Sequence, residues 1–155
     1  MNRQKTFLAL AAFMAACSCT FARAESGGNP VSELQGLWTM QLTLPGQAPA
    51  PLLVTVTSDG NTLVTGSQPG AQTQHGVWAR VGDRQIAAMA MFFLYDDKGN
   101  LTGMIKVRSL AQLADDLMHM EGPAQADILD LDGNVLSSIT GITFKQTRVA
   151  FDPMK

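Results

Sequence analysis

TQHGVWARVGDRQIAAMAMFFLYDDKGNLTGMIKVRSLAQL, residues 73–113, decides the fold. Three strand-length runs are separated by two turn signals, Gly82-Asp83 and Asp96-Asp97-Lys98-Gly99-Asn100. Glycine, aspartate and asparagine supply the positive-φ positions and local hydrogen bonds that tight turns need. The spacing predicts strands over residues 74–81, 84–95 and 101–113. The Ala/Met-rich middle run would also suit a helix, but turn signals bracket it at strand length. This grammar supports an all-β meander and no named activity.

The same grammar continues on both sides. From Gly36, the residues Trp38, Met40, Leu42 and Leu44 alternate with Thr39, Gln41 and Thr43, a period-two strand with one wet face. Residues 45–51 form a Pro/Gly/Ala loop that no strand interior would tolerate. A second strand over 52–57 turns at Ser58-Asp59-Gly60-Asn61 into a short third strand over 62–66. Downstream, residues 116–130 place Met118, Met120, Gly122, Ala124, Ala126 and Ile128 on one face, opposite His119, Glu121, Gln125 and Asp127. After the turn Asp132-Gly133-Asn134, residues 135–149 place Leu136, Ile142 and Phe144 on one face beside Arg148. Eight sequential strands joined by short turns leave no room for crossover helices. Closing the meander into a barrel removes its two exposed edges. The expected fold is a single antiparallel eight-stranded up-and-down barrel, with a β-sandwich as the alternative. A barrel of this size is filled by side chains or holds one small ligand.

The 155 residues suffice for one such domain. The expected organisation is a signal peptide over 1–24, a flexible leader over 25–35 and the barrel over 36–151. Arg3 and Lys5 form a basic head, Phe7 begins a short apolar run, and Ala22-Arg23-Ala24 is a cleavage site. The reading implies an extracytoplasmic protein, periplasmic or secreted. Met14-Ala15-Ala16-Cys17 offers an alternative, a lipoprotein anchored at Cys17. Cleavage after Ala24 removes Arg3, Lys5, Arg23 and both cysteines, Cys17 and Cys19, so formal charge moves from −2 to −5. A domain without disulfides is held by its core alone. The acidic balance argues against nucleic acid as a partner. No segment of the mature chain is apolar enough for a membrane-spanning helix.

Gly36-x-Trp38 on the first strand resembles the G-x-W signature of lipocalin-like (calycin-type) barrels. That resemblance implies that an Arg or Lys on the last strand packs over the Trp, and Arg148 is placed to do so. Gly76-Val77-Trp78-Ala79-Arg80-Val81-Gly82, the turn from Tyr95 to Asn100, and Val107-Arg108 are also similar to stretches in small exported bacterial proteins of uncharacterised function. These motifs are structural. The lipocalin cysteines and the helix before the last strand are absent, so no ligand class transfers.

Methionines beside small residues on the expected inward faces point to an adaptable apolar interior. The candidate ligand-binding residues are Trp38, Met40, Gly103, Ile105, Met118, Met120 and Ala124, and the expected partner is a small apolar molecule. Strand five contributes either Ala88, Ala90 and Phe92 or Met89, Met91 and Phe93. A fully packed interior, large residues facing small, is the competing reading. Met118-His119-Met120 and Met89-Ala90-Met91 raise Cu(I) binding as another function, since thioether and imidazole are soft ligands. On a strand, however, Met118 and Met120 point away from His119, and no cofactor or metal is expected. Arg80, Glu121 and Tyr95 are the candidates for a barrel enzyme of cyclase or isomerase type on a hydrophobic substrate. No nucleophile elbow, metalloprotease or phosphate-loop motif occurs.

Overall fold

A computed structural model of the chain describes residues 33–68 and 71–154. The signal segment and Cys17 lie outside the described residues. Eight strands follow in order: β1 (Gly36–Thr43), β2 (Ala50–Val56), β3 (Asn61–Gly66), β4 (Thr73–Gly82), β5 (Gln85–Tyr95), β6 (Leu101–Leu113), β7 (His119–Leu129) and β8 (Val135–Arg148). Each pairs antiparallel with its sequence neighbour, and β8 returns to β1, so the sheet closes as an up-and-down barrel. The described residues include no helix. At the seam Trp38 stands opposite Arg148 and Leu42 opposite Phe144.

Three of the turns share one chemistry. Asp96 N–H donates to Asn100 O at 2.9 Å, Asp130 N–H to Asn134 O at 3.0 Å, and Thr57 N–H to Asn61 O at 3.0 Å. Gly99, Gly133 and Gly60 supply the left-handed residue, with φ of 82°, 86° and 87°. The β4–β5 turn differs from the sequence expectation. It falls on Asp83-Arg84, with Arg84 itself left-handed at φ 55°. Gly82 instead remains in β4.

Period two assigns the inward stripe. Trp38, Met40 and Leu42 of β1 face inward with Leu52, Val54 and Val56 of β2. On β5 the open choice resolves toward Ala88, Ala90 and Phe92 inside, with Met89 and Phe93 exposed outside. One sequence reading is corrected on β8. Leu136 does not share a face with Ile142 and Phe144; it is 65 % exposed. Between Ala124↔Ile142 and Ala126↔Ile139, β8 carries one residue more than β7. That bulge contains Gly141 at φ 74° and reverses the inward phase across it; a second shift, between Ile128↔Ser137 and Leu129↔Val135, leaves Leu136 as the additional residue. Leu101 likewise lies at an exposed strand end, because the register shifts beside it.

The two ends of the barrel differ. Loops β2–β3, β4–β5 and β6–β7 close one end, and the large side chains Leu34, Trp38 and Leu113 are fully buried in the half beneath them. Leu34 belongs to the expected leader, yet its carbonyl accepts the Trp38 indole N–H at 3.0 Å. Arg148 stacks over the Trp38 ring at 4.9 Å, a cation–π contact. Glu33 pairs with Arg80 at 2.7 Å. Loops β1–β2, β3–β4, β5–β6 and β7–β8 surround the other end, where no comparable plug is built among the described residues.

Candidate functional site

The interior holds a cavity of about 250 Å3. Its wall is largely apolar: Leu42 from β1, Val54 from β2, Val64 from β3, Ala90 from β5, Val107 from β6, Ala126 from β7 and Ile142 from β8 line it, and β4 contributes Gln74. Inward positions two residues apart, such as Ala88, Ala90 and Phe92 on β5 or Ile142, Phe144 and Gln146 on β8, place these residues through the sheet's pleat. Leu44 and the 36 % exposed Ile139 mark the mouth at the unplugged end. A second chamber of about 50 Å3 lies deeper, bounded by Leu34, Trp78, Ile86 and Met120.

Three polar side chains enter at one level. Thr62, Ser109 and Gln146 line both chambers and so form the waist between them. Gln74 also lines the larger cavity. Gln146 is 9 % exposed, and its Oε1 has no hydrogen-bond partner among the described residues. Among the described residues no charged side chain lines either chamber.

The sequence candidates divide three ways. Met40, Ile105 and Ala124 line the large cavity. Met120 lines the small one. Trp38, Gly103 and Met118 line neither. Trp38 is the plug. Gly103 is buried where the Leu129 carbonyl of β7 presses against it, with no space for a Cβ. Met118 precedes β7, in a turn where its N–H donates to Asp116 Oδ1 at 2.8 Å. Thr62, Gln74, Ser109 and Gln146 were not singled out from the sequence. A signal for them existed: each is a polar residue in phase with inward apolar neighbours, as Ser109 is with Ile105 and Val107.

The enzyme candidates are not brought together. Arg80 is held by Glu33 at the plugged end. Glu121 is exposed and faces Lys145 at 3.3 Å. Tyr95 is 46 % exposed and meets Phe93 edge to face. The Met/His set separates as strand geometry requires: Met120 faces inward, while exposed His119 contacts Asp116 through Nδ1 at 2.7 Å. Among the described residues no group of three or more His, Cys, Asp or Glu side chains could hold a metal ion. Asp127 is buried on the outer wall, where it accepts from Ser138 Oγ at 2.7 Å and Gln125 Nε2 at 3.1 Å and pairs with Arg108. The Ser138 hydrogen bond is foremost in holding its carboxyl below the usual range. This group ties β6, β7 and β8 together rather than facing a cavity.

No family model matches the chain, and no curated protein matches it either. No helix among the described residues is long and apolar enough to cross a membrane.

Proposed function

We propose that this barrel binds or carries a small, largely apolar molecule in its interior, as an exported lipocalin-like protein. The observation that carries the reading is the 250 Å3 chamber with its aliphatic wall. Apolar cavities of about 150 Å3 stay dry and accept benzene, while sites for drug-sized ligands begin near 300 Å3. The guest is therefore a small one. Burying roughly 200 Å2 of it contributes roughly 5 kcal/mol, of which association takes back at least about 4 kcal/mol, so a purely apolar guest binds weakly. The G-x-W strand and the stacked Arg148 support the lipocalin-like reading, and the first 24 residues support export. Mass spectrometry of the mature protein is expected to find Glu25 at the N-terminus; a lipidated Cys17 would replace the free carrier with an anchored one.

Ala124→Phe tests the chamber. The new ring fills it and is expected to weaken toluene binding, read by ligand-observed NMR, by tenfold or more while the melting temperature holds. If the parent binds no toluene and Ala124→Phe loses about 1–3 kcal/mol of stability, as overpacking of a filled core does, the proposal fails.

A further inference from the structure

We propose that the guest carries a neutral hydroxyl, an alcohol or phenol rather than a carboxylate, and that this hydroxyl docks on Gln146 at the waist of the barrel. The inference rests on the apolar-guest reading above and names the chemical class of that guest. Gln146 projects inward from β8 in phase with Ile142 and Phe144. It is 91 % buried, borders both chambers, and presents an Oε1 with no partner. A buried amide left unsatisfied is costly, and native interiors rarely retain one. Thr62 and Ser109 also border both chambers, so three polar side chains meet the interior at the waist; Gln74 is the other polar residue on the larger chamber's wall among the described residues.

The charge pattern selects among polar ligands. A carboxylate would enter a chamber with no cation on its wall, where an unpaired charge is strongly disfavoured. Arg80 and Arg148 line neither chamber: Arg80 is paired with Glu33 and Arg148 is stacked on Trp38. A ketone or ether cannot donate to Oε1. A hydroxyl both donates and accepts, so it donates to Gln146 Oε1 and keeps its lone pairs for a hydroxyl at the same waist, Thr62 or Ser109. The polar end of the guest sits deep and its apolar body points toward Leu44 and Ile139.

The test compares benzyl alcohol, toluene and benzoate on the full mature protein, with dissociation constants from NMR titration. Burying a hydroxyl without a partner would make benzyl alcohol bind tenfold or more worse than toluene. The proposal expects benzyl alcohol to bind at least as tightly as toluene, with benzoate weakest. In Gln146→Leu, benzyl alcohol should fall at least tenfold behind toluene, and toluene should bind as before. Thr62→Val, which keeps Gln146, should shift the ratio in the same direction by less. Toluene binding with benzyl alcohol tenfold weaker in the parent overturns the hydroxyl proposal alone, as would a trapped water that already satisfies Gln146. Tightest binding by benzoate overturns it as well. Binding of none of the three probes overturns the cavity reading with it.

Discussion

Glycine 122 shows how much one position can hide. An added Cβ there would overlap the Leu110 carbonyl oxygen of β6, and one at Gly103 would overlap that of Leu129. Both obstacles are backbone, so neither can swing aside. Gly122→Ala is expected to cost about 1–3 kcal/mol, the scale of overpacking in a close-packed core, read as a lower urea midpoint with an unchanged slope. In the sequence these glycines sit on an inward stripe and read as spare volume. In the barrel they are points where the neighbouring strand passes too close for any side chain, and the volume comes from Ala88, Ala90, Ala124 and Ala126. Residue type announces smallness, but the reason for it depends on a strand dozens of residues away. The Trp38–Arg148 stack was legible, because a known signature names both partners. The Gln146 waist was not read, although its phase with Phe144 was visible.

Among the elements, the turns were the most legible part of the chain. Asp-x-x-Gly-Asn at residues 96–100 and 130–134 places a carboxylate, a left-handed glycine and an asparagine where one loop uses all three. The Asn100 side chain is foremost in lowering the Asp96 carboxyl, and the Asn134 side chain does the same for Asp130. Asp59 is lowered first by the Thr57 hydroxyl, and Asp116 first by the Met118 amide. Folded values below the usual 3.8 stabilise the native state above that pH, and the contribution disappears as pH falls through the folded values. Urea midpoints are therefore expected to stay level from neutrality to about pH 4 and drop below it. Asp96→Asn combined with Asp130→Asn should lower stability at neutral pH and flatten the acid decline. A decline already steep between pH 6 and 5 would contradict this. Strand phase was less legible than the turns. Period two broke beside Leu101 and twice on β8, around Gly141 and again at Leu136, which lies outward. A lone glycine inside a strand pattern is a known sign of a bulge, yet nothing local states which flanking segment keeps its phase.

At the scale of the whole molecule, closure followed from arithmetic: eight consecutive hairpin-linked strands leave two edges, and β8 covers β1. Whether the closed sheet would be solid or hollow could not be read the same way, since interior volume is a small difference between many side chains reaching from opposite walls. The two halves of the interior give different answers. Around Leu34 and Trp38 the barrel is nearly filled, leaving a chamber of about 50 Å3, and around Ala90 and Ala124 it opens into one of about 250 Å3. The expected preservation of fold in Ala124→Phe depends on that division, because the added ring enters space the nearly filled half does not use. Leu34 gives the division a further consequence. With its side chain buried and its carbonyl bound to the Trp38 indole, one end of the barrel is stoppered. The interior is a blind well rather than a tunnel: whatever enters must leave by the way it came, last part in first part out. For the proposed carrier, a guest longer than the well would trail its remainder past Leu44 into the surroundings, and that protruding tail, not the buried head, is what a recipient would first be able to grasp.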